Sequence, residues 1–232
     1  MKQYTTKAIV LNRVDYGEAD RIITMLTPDQ GKISVLARGV RKPKSKLAGG
    51  IELFSVNEVT VLAGRGEVHT LISARLSKYY DQIVKDLERT TAGYEFIKIM
   101  NRATEDNPEP AYFELLKGSL AALDEAAINL GLIQVWFQAQ LLRLAGHTPN
   151  LRTDEEGKKL EATASYLFNF ETMNFHKNGQ DDNSFDANSI KFLRLIFSDN
   201  PPKTLQKVKG VGRLASACRP LVQSMLNTYV RL

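Results

Sequence analysis

Between residues 30 and 51 the chain carries six basic side chains, Lys32, Arg38, Arg41, Lys42, Lys44 and Lys46, and no acid. Folding gains little from such crowding, because like charges repel. A polyanion gains a good deal, because each phosphate neutralised by Lys or Arg releases condensed counterions. The stretch runs out of an alternating segment into a loop with Gly39, Pro43, Gly49 and Gly50, so it reads as a cationic loop carried by a strand. A solvated basic face is the plain alternative. A second acid-free run extends from residue 200 to the last residue and contains Lys203, Lys207, Lys209, Arg213, Arg219 and Arg231. Within it, Gly210-Val211-Gly212 precedes a helical pattern. Glycines there let a backbone approach a phosphate, and a helix N-terminus favours an anion. That is the pattern of a helix-hairpin-helix element. An ordinary corner, with Gly210 ending one helix as the next begins, accounts for the same residues. The mixture of cations with Leu205, Val208 and Leu214 also suits an acidic peptide with an apolar end.

Catalytic chemistry is harder to assemble. Asp15, Glu18 and Asp20 have the look of a metal-binding carboxylate group, but they read first as a charged turn between strands, with Asp20 and Arg21 as a local pair. His69, His147 and His176 are scattered and read as surface or packing residues. No G-x-x-x-x-G-K-[ST] segment is present, which excludes a P-loop nucleotide hydrolase. No nucleophile–base constellation emerges. Cys218 is the single cysteine, so neither an intrachain disulfide nor a cysteine zinc cluster is available. These residues describe a binding protein with no catalytic site, no cofactor and no metal.

The elements that must position the cations follow from periodicity. The 232 residues are 43% hydrophobic and 25% charged, ordinary for a globular protein. No stretch approaches the roughly 18 apolar residues of a membrane span. The start, MKQYTTKAIVLNR, lacks an apolar signal core, so a cytoplasmic location is expected and no membrane partner. The net charge of +5 is unevenly placed, with 13 Lys and Arg against 7 Asp and Glu in residues 1–80, and 18 against 19 in the remainder. Residues 1–80 read as five short strands, Lys7–Arg13, Arg21–Thr27, Lys32–Arg38, Phe54–Leu62 and Val68–Ser77, joined by Gly-containing turns. Five strands in this span predict a small closed barrel, with the strand count of an OB-fold and an SH3-like barrel as the alternative. Arg13, Arg21 and Arg65 extend the cationic track across it, and Tyr16 is a stacking candidate, whereas Tyr4 and Phe54 read equally as core.

From residue 81 the apolar period becomes helical. Helices are expected to about Ala103, over Tyr112–Asp124 after a break at residues 106–110, and over Ile128–Leu144, with Trp136 and Phe137 in the core. Residues 150–185 are polar and poorly periodic, and 179–184 read as an exposed loop. Asp186 is placed to cap a helix covering Ile190 to Phe197, and a last helix runs from about Arg213 to Val230. The fold class is therefore α+β, an N-terminal OB-fold barrel (1–80) followed by an all-α helical domain (81–232).

The segment from Val14 to Ser55 resembles the N-terminal domain of the RecO family of bacterial recombination-repair proteins. The likeness lies in Gly17-Glu18-x-Asp20, the strand end Leu26-Thr27, Gly31-Lys32-Ile33 and Ala37-Arg38-Gly39-x-Arg41, followed by a Lys/Ser-rich link to Phe54. A second likeness is Leu141 to Leu151, LLRLAGHTPNL, similar to the end of the family's central helix. The resemblance implies a recombination mediator that binds single- and double-stranded DNA and anneals complementary strands. It implies RecR and the acidic C-terminal tail of single-strand-binding protein as partners, RecA as an indirect one, and association with the nucleoid. Many members carry a four-cysteine zinc module after the second segment. Residues 152–185 offer only His176 for such a site, so this chain is expected to be a zinc-free variant. An RNA-binding OB-fold protein without catalytic activity is the first alternative, and a nuclease using the Asp15–Asp20 carboxylates the second.

Overall fold

The computed structural model describes residues 2–104, 109–178 and 184–230. Strands β1 (Gln3–Tyr16), β2 (Asp20–Thr27), β3 (Gly31–Ala37), β4 (Ser55–Leu62) and β5 (Val68–Tyr79) come first. Alternation drives them together. In β3, Gly31, Ile33, Val35 and Ala37 are buried, while Lys32, Ser34 and Leu36 are half-buried on the other face. Ala8, Val10, Ile23, Met25, Val35, Val59, Val61 and Leu71 complete the same core. The sheet order is β1-β2-β3-β5-β4. β4 returns antiparallel to β1, from Gln3↔Leu62 to Ala8↔Asn57, and so closes a barrel. The seam between β3 and β5 is parallel and short, from Ser34↔Val68 to Leu36↔Thr70. β1 is long because its first half pairs with β4 and its second half with β2. Gly31, at φ 66°, supplies the left-handed residue that ends the Pro28–Gln30 turn.

After a 3-10 turn at Ile83–Lys85 come helices α1 (Leu87–Ala103) and α2 (Pro110–Asp124). The helical period is expected from residue 81, but α1 begins at Leu87 because the Asp86 side chain accepts from the Arg89 backbone N–H and sets the N-cap there. Residues 106–108 of the expected break lie outside the described residues, and Pro110 occupies the first turn of α2. Two cations close helix ends. Lys32 Nζ donates to the carbonyls of Asn101 at 3.1 Å and Thr104 at 2.5 Å, at the C-terminus of α1. Buried Arg89 donates to Leu123 O at 2.9 Å and Glu125 O at 3.2 Å, at the end of α2. Both positions carry the negative end of a helix dipole.

The chain divides into two compact units, Met1–Glu125 and Ala126–Leu232. The second unit is built on α3 (Leu130–Leu144), capped by Asn129, whose side chain accepts from Leu132 N. Against α3 pack α4 (Ala187–Ile196), the short α5 (Pro202–Leu205) and α6 (Val211–Tyr229). Trp136 is buried and its Nε1–H donates to Asn200 O at 2.8 Å. Asp186 caps α4, as the sequence indicates. The region is not all-α, however. β6 (Ser165–Asn169) and β7 (Asn174–Asn178) form an antiparallel hairpin. Its alternation is hidden because apolar side chains occupy successive positions, Tyr166, Leu167 and Phe168, so no period of two stands out. Residues 179–183 of the expected exposed loop lie outside the described residues.

Candidate nucleic-acid interface

The basic loop leaves the barrel at the end where β1 and β2 meet. Its root is fastened there by the residues of the Gly17–Asp20 turn. The Arg41 backbone N–H donates to Ala19 O at 2.9 Å, and Gly39 N–H donates to Asp20 Oδ1 at 2.7 Å. Val40 between them is 4% exposed and belongs to the barrel core. Gly39 takes φ 62°, which a side chain would strain. Beyond the root, Lys42 N–H donates to Gly39 O and Ser45 N–H to Lys42 O, so the loop is a series of tight turns. Arg38, Lys42, Lys44 and Lys46 are exposed, and none of the ion pairs among the described residues engages them. The anchored root sets where these four charges stand, and their heads face solvent.

The arginines next to the root are paired. Arg21 lies directly across from Asp15 in the β1–β2 ladder, and its Nε meets Asp15 Oδ1 at 2.7 Å. Arg41 Nε stands 3.5 Å from Asp15 Oδ2. The Arg21 hydrogen bond, opposed by desolvation and reinforced by the charges of Arg41 and Arg21, holds the Asp15 carboxyl below the usual carboxylate range. Asp20 is therefore not the partner of Arg21, because it is committed to Gly39 N–H. Arg13 pairs with Glu52 at 3.1 Å and reaches Ile51 O at 3.4 Å, fastening the segment that leads into β4. Among the described residues no group of three or more His, Cys, Asp or Glu could hold a metal ion.

Two of the expected track residues stand elsewhere. Lys32 commits its ammonium to the end of α1. Arg65 sits in the β4–β5 turn, which the parallel pairing of β5 with β3 places level with the start of β3. The basic loop leaves from the end of β3, so Arg65 is at the opposite end of the barrel. A feature that charge alone does not reveal lies on the outer face of β1–β2–β3. Val14 pairs with Ile22 and Ile22 with Leu36, so the three share a face. Tyr16, 55% exposed, and Val14, 53% exposed, are its most open members. Alternation along the strands could have found this row, since it is the half of the pattern left over by the core.

In the second unit, Gly210 adopts φ 72° at the start of α6, with open space beyond its Cα. Gly212 lies against Asn129, whose Nδ2 would stand 3.3 Å from an added Cβ. The helix before this turn, α5, is only four residues long. A groove of about 540 Å³ runs between α4 and the start of α6. Phe192, Leu195, Val208 and Leu214 supply apolar lining, and Lys191, Lys209 and Arg213 supply charge. Asp186 is near enough to feel Arg213, but its carboxylate is held mainly by the hydroxyl and backbone N–H of Ser189. Lys203, Lys207 and Arg219 are exposed and lie outside this lining. Sequence alone does not single out Lys191, because Asp199 separates it from the acid-free run.

Residues 1–80 match the family model described as Recombination protein O N terminal, and residues 84–232 match Recombination protein O C terminal. The chain is 32% identical over 205 residues to a protein of Dehalococcoides mccartyi named DNA repair protein RecO, covering 86% of this chain and 80% of that one. A protein of the same name from Roseiflexus sp. is 32% identical over 233 residues, covering 98% of this chain and 80% of its own length. One from Synechococcus elongatus is 37% identical over 156 residues, 64% of this chain and 56% of that protein.

Proposed function

Because the chain belongs to the recombination protein O family of DNA repair proteins, we propose that it is a recombination mediator whose N-terminal barrel is an OB-fold that binds single- and double-stranded DNA. The observation that carries this reading is the basic loop, with Arg38, Lys42, Lys44 and Lys46 exposed on a root fixed by backbone hydrogen bonds. A fixed root presents charge to phosphates without ordering the chain at the moment of binding. Contacts of this kind position a strand and do not read its sequence. The outer row adds one aromatic face, Tyr16, on which a base can stack, with Val14, Ile22 and Leu36 as its apolar neighbours.

Annealing follows from the same electrostatics. Two complementary strands repel through their phosphates, and cations placed between them lower that repulsion while counterions are released. The protein needs no bond-making step for this, so the chain is read as a non-enzyme. The family resemblance carries the partners: RecR, with which it assists RecA loading, and the acidic tail of single-strand-binding protein. The α4–α6 groove, apolar inside and cationic at its edge, suits such a tail. Work on DNA implies a nucleoid-associated protein of the cytoplasm.

The test is a salt titration of oligonucleotide binding. Replacing Arg38, Lys42, Lys44 and Lys46 together by Ala leaves the fold intact and weakens binding to all sequences. On a single strand it reduces the log–log salt slope by about 0.7 for each phosphate that is no longer neutralised. An unchanged slope places the DNA site elsewhere. Competition between DNA and RNA strands of one sequence separates this reading from an RNA-binding protein.

A further inference from the structure

Asp15 has a peculiar position. Among the described residues it is the acid that touches two guanidinium groups, Arg21 Nε at 2.7 Å and Arg41 Nε at 3.5 Å, one with each carboxylate oxygen. A carboxylate gripped by two arginines stands where a phosphate would be gripped. The contact is not what holds the loop in place. The root is already fixed by Arg41 N–H to Ala19 O, by Gly39 N–H to Asp20, and by Val40 in the core. Asp15 touches side chains only, and its own side chain is 52% exposed. Exposed pairs of this type are weak, so a strand can displace the carboxylate. Displacement leaves an uncompensated negative charge beside the bound phosphate.

We propose that Asp15 is an internal competitor for DNA, an anionic latch that occupies Arg21 and Arg41 in the free protein and sets an upper limit on how tightly a strand is held. The inference rests on the reading of the basic loop as the DNA site. Its physical sense is release: a protein that passes a strand on must let go of it. The latch returns to the arginines as the phosphate leaves, and so lowers the barrier to dissociation.

The test uses the full chain and a fluorescently labelled oligo(dT) in a potassium chloride series. Asp15→Asn binds about threefold or more tighter at low salt, with a slope steeper by up to about 0.7 for each further phosphate neutralised, and dissociates more slowly. Asp15→Ser gives the same tightening, which excludes a new hydrogen bond made by Asn as its cause. In an Arg21→Ala/Arg41→Ala background, Asp15→Asn changes nothing further. Weaker or equal binding by Asp15→Asn and Asp15→Ser, with thermal melting unchanged, overturns the latch. An equal gain in the Arg21→Ala/Arg41→Ala background also overturns it, since that is an effect of net charge alone. If the four-residue loop variant leaves binding unchanged, the DNA site itself is wrong and the latch falls with it. If that variant weakens binding while Asp15→Asn does not alter it, only the latch falls.

Discussion

Residues of one charge do different work here according to what their heads meet. Lys32 and Lys42 belong to the same basic run, yet one neutralises the carbonyls ending α1 and the other faces water. Sequence cannot separate them, because the partners of Lys32 are some seventy residues away. Cys218 shows the opposite case, a reactive group made inert. Its side chain is 0% exposed, its thiol donates to Ser189 O at 3.6 Å, and burial, aided by the charge of Asp186, pushes it up to about 12. The thiolate fraction at pH 8 is then roughly one in ten thousand, and the thiolate is the reacting species. A disulfide reagent should therefore titrate no thiol in the native protein and one thiol per chain in denaturant. Reaction at full speed without denaturant contradicts this burial. The linkage has a definite sign. Between the unfolded thiol value of about 8.5 and the folded value of about 12, the folded state keeps a proton that the unfolded state has lost. Stability therefore falls as pH rises through that window. Cys218→Ala removes that component of the decline.

At the scale of elements, the five strands were legible because a barrel buries one face of each strand and leaves the other outside, so Ile33, Val35 and Ala37 alternate with Lys32, Ser34 and Leu36. Helices α2, α3, α4 and α6 were legible from their apolar spacing and from Asp186. The β6–β7 hairpin was not, since Tyr166 and Phe175 are buried while apolar neighbours such as Leu167 and Phe168 hide the alternation. Of the candidate interface, the exposed cations were legible, whereas the pairing of Arg21 and Arg41 with Asp15 and the hold of Asp20 on Gly39 N–H were not, because they depend on cross-strand register and on the docking of the loop. The far end of that loop has its own anchor, a 3-10 turn at Ala48–Gly50. A Cβ at Gly50 would lie 2.5 Å from the backbone of Ala74 in β5, whereas one at Gly49 meets nothing within 4 Å. Gly50→Ala should cost about 1–3 kcal/mol through overpacking, and Gly49→Ala should be nearly neutral. Urea unfolding of the two variants decides it, and equal midpoints would mean that the turn shifts without cost.

At the scale of the whole molecule, positive charge is concentrated in the first 80 residues, yet the second unit carries a separate cationic groove. Reversing Lys191, Lys209 and Arg213 to Glu should abolish binding of an acidic peptide with an apolar end and leave DNA affinity within about twofold, because the proposed strand site lies on the other unit. Loss of DNA affinity with peptide binding kept would instead assign the Gly210–Gly212 corner to the strand. The barrel, finally, is a ring with unequal welds. Three residue pairs join β3 to β5, whereas six join β1 to β4. A ring opens at its thinnest weld, and the basic loop departs from the strand that forms one side of it. Breathing of the barrel should therefore begin at this three-rung ladder, next to the point where the basic loop departs.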